Sequence, residues 1–282
     1  MKQILLTATA LLTISLTACN GQSVKPETEI SNKDKVVALL KSIETGAQEP
    51  AAYINPNKYI QHNLGVADGL AGFGALLSQI PANSAKVNTI RAFQDGDYVF
   101  TQTDYNFFGP KIGFDIFKFE DGLIVEHWDN LQETPASLNP SGRSMVDGTT
   151  EIKDIAKTEE NKKLVANFVD DILVKGDMSK LGGYFNGDNY LQHNPQIADG
   201  LSGLGSALEH MASQNIFMKF NTVHKVLGQG NFVLTISEGT FADQPTSFYD
   251  LFRVENGKIA EHWDVMETII PESEWKNTNG KF

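Results

Sequence analysis

The chain reads as α+β, two tandem cone-shaped domains, each a curved antiparallel sheet wrapped on two or three helices. Three observations predict this. The stretch Glu126-His127-Trp128-Asp129 returns as Glu261-His262-Trp263-Asp264, each time behind a hairpin of one design, Phe114 to Gly122 and Tyr249 to Gly257. An upstream block also recurs: Tyr59 to Asn63 with Ala67 to Leu70 is answered by Tyr190 to Asn194 with Ala198 to Leu201. The upstream block repeats at a spacing of 131 residues and the hairpin block at 135, so the second copy carries four extra residues between them. In both copies helical periodicity comes first and strand alternation after it, the order of an α+β fold.

The start of the chain is read separately. Met1-Lys2 leads into an apolar run, Ile4 to Leu16, which is short for a membrane span and closes at Leu16-Thr17-Ala18-Cys19. A basic start, a short apolar stretch and small residues before a cut point describe an export signal. The pattern around Cys19 resembles a bacterial lipoprotein signal, which implies acylation of that thiol and a membrane anchor made of acyl chains. Asn20 in place of Asp resembles lipoproteins sorted to the outer membrane, facing the periplasm, in a host with two membranes. Cys19 is the single cysteine of the chain, so disulfides are excluded. The net charge of −12 argues against nucleic acid as a partner and against basic adhesion to anionic lipid.

These readings divide the chain into a signal at 1–18, a polar tether at 19–30, a first domain at 31–132, a linker at 133–157, a second domain at 158–270 and a tail at 271–282. In the first domain Ser31-Asn32 are cap candidates for a helix from Lys33 to Thr45, with apolar Val36, Val37, Leu39, Leu40 and Ile43 on one face and Gly46 as the stop. The second domain opens likewise from Thr158 to Val174, stopped by Gly176. A strand through Tyr59 or Tyr190 follows. Asp68-Gly69 and Asp199-Gly200 then lead into a short helix, with the aspartates expected as N-caps. Four strands close the first copy, Lys86–Phe93, Tyr98–Phe107, Lys111–Phe119 and Leu123–Leu131, and four equivalents close the second. The linker holds Pro135, Pro140, Gly142 and Gly148 and has no apolar period.

The Tyr-Ile-Gln-His-Asn block, the following Asp-Gly and the Glu-His-Trp-Asp strand resemble the SnoaL-like, polyketide cyclase-like branch of the nuclear transport factor 2-like superfamily. The resemblance spans both copies. It implies a curved sheet folded over helices with polar groups deep in an apolar cone. It points to no single reaction, because relatives include cyclases, isomerases, dehydratases and hydrolases beside members that only bind or dimerise.

Which residues face the cone turns on one hairpin. A two-residue turn at Asp121-Gly122 places Asp115 beside Trp128; a three-residue loop, Glu120 to Gly122, places Asp115 beside His127. Charge favours the three-residue loop, which sets Lys118 with Glu126, and Arg253 with Glu261, on one face. The other face then gathers Asp115, Phe117, His127 and Asp129. With His62 and His193 assigned to the same cones, each cup offers two imidazoles and two carboxylates: His62, Asp115, His127 and Asp129, then His193, Asp250, His262 and Asp264. Such a set suits proton transfer, since desolvation and neighbouring charge move carboxylate and imidazole pKa values towards neutrality. The cyclase resemblance implies Asp129 and Asp264 as bases, with the histidines as acids or orienters.

Competing readings exist for each residue. A buried His-Asp pair also serves as a strut. Trp128 and Trp263 read as packing, and His210 and His224, with no counterparts in the first copy, as incidental. No local His clamp supports a metal, and no cofactor is expected. Three function classes remain: a cofactor-independent lyase or isomerase of the aldol and enolisation type on a small carbonyl compound, a lipid-anchored protein that only binds a small apolar ligand, and a structural tandem. The outer faces, Phe114, Ile116 and Trp128 with Tyr249, Leu251 and Trp263, are expected to pair the copies as an intramolecular pseudo-dimer. Both cups are expected to work, the second on larger molecules, because small residues replace Tyr105 and Phe108 there.

Overall fold

The computed structural model describes residues 30–81 and 83–282. The expected export signal, Cys19 and all but the last residue of the expected tether lie outside the described residues. Helix α1, Asn32–Thr45, is capped by Ser31, whose hydroxyl accepts from the Asp34 amide at 3.2 Å, and it stops at Gly46, where φ is 70°. Its apolar face, Val36, Leu39 and Leu40, is buried. Strand β1, Ile60–Gln61, and helix α2, Gly69–Gln79, precede the strands β2, Lys86–Asp95, β3, Tyr98–Asn106, β4, Pro110–Glu120, and β5, Leu123–Glu133. They form one five-stranded sheet in the order β1-β5-β4-β3-β2, with β1 parallel to β5 and the rest antiparallel.

The second half repeats this plan. Helix α3, Thr158–Phe168, runs on into a π-helical turn, Val169–Val174, and a short helix α4, Leu181–Tyr184. Strand β6, Leu191–Gln192, helix α5, Gly200–Ser213, and strands β7, Met218–Gln229, β8, Phe232–Phe241, β9, Gln244–Glu255, and β10, Lys258–Thr268, follow. The second sheet has the order β6-β10-β9-β8-β7. The fold is α+β with two sheets of the same topology. Asp68 and Asp199 do sit at the N-cap positions of α2 and α5, yet neither side chain caps its helix. Each instead accepts the amide of the short strand, Gln61 at 2.9 Å and Gln192 at 3.0 Å, and so ties the helix start to the sheet edge.

The β4–β5 hairpin corrects the expected register. Its turn is the two-residue Asp121-Gly122, both at positive φ, 48° and 74°, so Glu120 pairs with Leu123. A bulge at Val125 then adds one residue to β5. Asp115 therefore stands directly opposite Asp129, with His127 on the diagonal, and Lys118 stands directly opposite Glu126. A bulge at Ala260 acts the same way in the second hairpin, setting Asp250 opposite Asp264 and Arg253 opposite Glu261. Turn and bulge each shift the register by one, so the residues sharing a face are those the charge argument selected, with direct and diagonal neighbours exchanged.

Each sheet closes a core against its own helices. Val36, Leu39, Phe117, Phe119 and Ile124 are in one such cluster, and Val165, Phe168, Val169, Phe252 and Ile259 in the other. The opposite sheet faces share a third cluster that includes Phe114, Ile116, Trp128, Tyr249, Leu251 and Trp263. Polar contacts also cross between the sheets: the Asn130 amide donates to the carbonyls of Ser247 and Val265, the Leu131 amide to Glu267, and the Met266 amide to Gln132.

The segments that follow β5 and β10 are straps, each lying on the other domain. After β5, Asn139 donates to the carbonyls of Gln192 and Ile197, and Arg143 makes a bidentate pair with Asp199. After β10, Asn277 donates to the carbonyls of Asn63 and Val66, and Asn279 to Asp68. Gly142 and Gly280 turn each strap at the same φ of 77°. The two straps share a pattern, Asn139-x-Ser-Gly-Arg and Asn277-x-Asn-Gly-Lys, which is a third repeat in the sequence.

Candidate functional site

Strand alternation sets the members of each cup. β1 pairs with β5 so that Gln61 lies beside His127, and β6 pairs with β10 so that Gln192 lies beside His262. In the first cup His127 Nδ1 is 3.0 Å from Gln61 Oε1 and its Nε2 is 3.2 Å from Asp115 Oδ1. In the second His262 is 3.1 Å from Gln192 Oε1 and 3.0 Å from Asp250 Oδ1. The glutamine amides are fixed: Gln61 Oε1 also accepts from the Asn63 amide, and Gln192 Oε1 from the Asn194 amide, both at 2.8 Å. Each imidazole thus faces an acceptor at Nδ1 and a carboxylate at Nε2. Satisfying both contacts requires a proton on Nδ1 and a second proton held between Nε2 and the carboxylate. In the second cup this arrangement favours the doubly protonated imidazole of His262.

The second aspartate of each set is held by an asparagine, Asn63 Nδ2 to Asp129 Oδ2 and Asn194 Nδ2 to Asp264 Oδ2, both at 2.7 Å. Beyond that the cups part. In the first, Tyr105 donates to Asp115 Oδ2 at 2.7 Å, and the Lys281 ammonium lies 3.9 Å from Asp129 Oδ1. Gly239 stands where the first cup has Tyr105, as the pairing of Thr101 with Asp115 and of Thr235 with Asp250 establishes. Asp250 Oδ2 is consequently buried with no hydrogen-bond partner; Asp264 Oδ1 is likewise unpartnered, as is Asp129 Oδ1 in the first cup. The second set thus leaves two carboxylate oxygens on directly opposed residues without a partner, where the first leaves one.

Their electrostatics follow. Burial opposes protonation of His262, but its hydrogen bond to Asp250 and the negative charges of Asp264 and Asp250 outweigh this and raise its pKa. Asp264 is raised as well, first by burial and then by the charge of Asp250, against the opposing pull of His262 and Asn194. A group that folding makes more basic contributes stability at low pH and loses it as pH rises through its folded pKa. Asn keeps the size of Asp264 but does not titrate. The stability difference between Asp264→Asn and the wild-type chain is therefore expected to shift in the variant's favour as pH rises from the ordinary aspartate value of 3.8. Urea unfolding at a series of pH values measures it; a difference independent of pH contradicts the assignment.

His62 and His193 are not in the cups. Tyr59 and Gln61 do point away from His62, but they are the residues that face inward. His62 stacks on Trp128 at 4.7 Å and meets Glu126 at 3.0 Å; His193 stacks on Trp263 at 4.7 Å and meets Glu261 at 2.9 Å. Both belong to the outer sheet face, where the straps reach them through Gly280 and Ser144. The remaining six residues, Asp115, His127 and Asp129, then Asp250, His262 and Asp264, come together as two sets of three.

Gln61, Gln192, Asn63 and Asn194 were not among the expected site residues. Their signal lay in the repeated block itself, two positions apart and hence on one face of an extended chain. Asp115, His127 and Asp129 also offer ligand atoms within 4.8 Å of one another, the spacing of a small cation site. Asp115 Oδ2 and Asp129 Oδ2 are already engaged by Tyr105 and Asn63, and a cation there would meet the Lys281 ammonium.

No protein-family model matches the chain, and no curated protein matches it. Solved structures do. TsrD from Streptomyces laurentii is similar at 19% identity over 35% of this chain and 85% of its own, with a TM-score of 0.30. An NTF2-like protein of unknown function from Cytophaga hutchinsonii is similar at 16% identity over 38% of this chain and 94% of its own, with a TM-score of 0.33. A protein from Kribbella flavida provisionally named a ketosteroid isomerase is similar at 16% identity over 43% of this chain and 90% of its own, with a TM-score of 0.32.

Proposed function

We propose that the chain is a cofactor-independent acid–base lyase or isomerase for a small carbonyl compound, of the SnoaL-like kind, and that its second cup carries the chemistry. The observation behind this reading is the pair of buried, unclaimed carboxylate oxygens beside a proton-holding His262–Asp250 dyad. Asp264, with its raised pKa, removes a proton next to the substrate carbonyl. The imidazolium of His262 offsets the negative charge that develops, while Gln192 and Asp250 hold the ring in place. The apolar wall, including Phe252 and Val233, keeps water out and strengthens these interactions. In the first cup Tyr105 already occupies the corresponding oxygen of Asp115, and the Lys281 ammonium lies 3.9 Å from that of Asp129, which favours a binding or supporting role there.

The test is proton–deuterium exchange at the α-carbons of simple cyclic ketones, followed by proton NMR with the purified chain. Catalysed exchange supports the reading. Binding of the ketones without exchange supports a carrier for small apolar ligands instead.

We also propose that the chain is exported and anchored through acyl chains on Cys19, with its two domains serving each other as a built-in dimer. Cys19→Ser is expected to abolish incorporation of a fatty-acid probe in cells. Equal labelling of the variant rejects the anchor.

A further inference from the structure

The two cups differ along one wall, strand β8 in the second and its counterpart β3 in the first. Thr101 stands opposite Asp115 as Thr235 stands opposite Asp250, so Thr103 answers to Ser237 and Tyr105 to Gly239. In the first cup these hydroxyls are linked. Thr103 Oγ1 lies 3.5 Å from the hydroxyls of both Thr101 and Thr89, and Tyr105 donates to Asp115. In the second cup Val223 stands opposite Ser237, where Thr89 stands opposite Thr103. The links are lost and the hydroxyls stay. Thr235 Oγ1 and Ser237 Oγ, on residues 0% exposed, join Asp250 Oδ2 and Asp264 Oδ1 as buried atoms with no hydrogen-bond partner among the described residues.

Strand pairing puts all four on one face. Thr235, Asp250 and Asp264 are directly opposed across β8, β9 and β10, and Ser237 follows Thr235 by two residues. Unpaired polar atoms inside a protein are costly to the folded state unless something completes them. An ionised carboxylate only accepts, so whatever completes Asp250 Oδ2 brings a donor. The imidazolium of His262 already supplies the cation at Asp250 Oδ1, which suits a neutral hydroxyl rather than an ammonium at Oδ2. Directly opposed side chains on neighbouring strands lie about 5 Å apart. One carbon bearing both a hydrogen and a hydroxyl bridges that gap, with its C–H towards one carboxylate and its O–H towards the other.

Resting on the assignment of Asp264 as the base, we propose that the second cup acts on α-hydroxy carbonyl compounds, holds a further substrate hydroxyl on Thr235 and Ser237, and moves the carbonyl to the neighbouring carbon through an enediol. Asp264 takes the proton from the carbon that carries the hydroxyl. The electron pair left behind forms the carbon–carbon double bond, and the carbonyl oxygen becomes an enolate facing the His262 imidazolium. The hydroxyl proton passes through Asp250 Oδ2 to that enolate oxygen. Asp264 then returns its proton to the former carbonyl carbon. Hydroxyl and carbonyl have exchanged places, and every proton and electron pair is accounted for within substrate and side chains.

The probes are hydroxyacetone and dihydroxyacetone, each given to the full purified chain in D2O and followed by proton NMR, with every rate divided by that in buffer alone. Hydroxyacetone carries both kinds of α-carbon. On this scale its hydroxymethyl protons are expected to exchange at least tenfold faster than its methyl protons, and dihydroxyacetone is expected to yield glyceraldehyde. The double variant Thr235→Val with Ser237→Ala is expected to lower kcat/KM for dihydroxyacetone at least tenfold relative to hydroxyacetone, because the second hydroxyl loses its contacts. It is expected to melt no lower than the wild-type chain, since the hydroxyls removed bond nothing within the fold. Exchange of cyclic ketones with no preference for the hydroxymethyl group, or a ratio between the two probes unmoved in the double variant, would overturn this inference and leave Asp264 as a base. A fall in melting temperature would reveal fixed internal partners on the two hydroxyls and overturn it as well. No exchange of any ketone would remove the base, and this inference with it.

Discussion

Asp264→Asn is expected to lower the rate of α-proton exchange by about 10²-fold or more, the usual loss when a positioned general base is removed. The substitution preserves size and the hydrogen bond from Asn194, so the second domain should fold as before. Asp129→Asn is expected to do much less, because the Lys281 ammonium lies near Asp129 and Tyr105 already donates to Asp115. His262→Gln should fall between them. It keeps a side chain that reaches both Gln192 and Asp250 but removes the stored proton. A double variant, Asp129→Asn with Asp264→Asn, that exchanges protons as fast as the wild-type chain would dispose of the carboxylate mechanism. Equal losses from the two single variants would instead assign the chemistry to both cups and remove the distinction drawn from Gly239.

The difference between the cups was partly legible. That Tyr105 and Phe108 face small residues in the second copy follows from alignment of the repeats alone. That Tyr105 reaches an aspartate does not, because a side-chain contact onto the neighbouring strand depends on register. Register was the weak link elsewhere too. The charge pairs Lys118–Glu126 and Arg253–Glu261 identified the correct shared face, since alternation along a strand allows only two choices. They could not separate a three-residue loop from a two-residue turn followed by a bulge, because both give the same parity. Val125 and Ala260 carry no signal that marks them as the extra residues.

His62 failed for a related reason. Alternation within Tyr59 to His62 states that Tyr and His face opposite ways, and nothing local states which way is inward. The stack of His62 on Trp128 decides it, and that contact exists because β1 lies parallel to β5. The straps were missed by a different route. Hydrophobic periodicity finds elements that bury a face, whereas Asn139 and Asn277 hold their segments by hydrogen bonds to main-chain carbonyls of the other domain. Comparing the two segments directly would have revealed Asn-x-x-Gly followed by a basic residue.

The largest stability effect is expected at Arg91, a residue that no motif singled out. It is 3% exposed and donates to Gln102 Oε1 and to the carbonyls of Val146, Asp147 and Thr149 while lying over Trp263. Burial lowers its pKa to about 10, against the opposing charges of Glu261 and Asp147, and it remains protonated at neutrality. Arg91→Ala would leave these acceptors without their donor inside the body and loosen the strap that also holds Trp263. A loss of about 3–5 kcal/mol is expected, the range for stripping one partner from a buried charged network. In a body of this size that corresponds to a fall in melting temperature on the order of 10 °C. Arg91→Lys should recover little, because an ammonium cannot present the planar fork that serves several carbonyls at once. Lys225→Ala, at the twin position over Trp128, should cost less than about 1 kcal/mol, since its ammonium holds no comparable set of bonds. Urea unfolding of the three variants beside the wild-type chain measures the ranking. Equal costs at Arg91 and Lys225 would mean that the strap contributes nothing there beyond the cation over the ring.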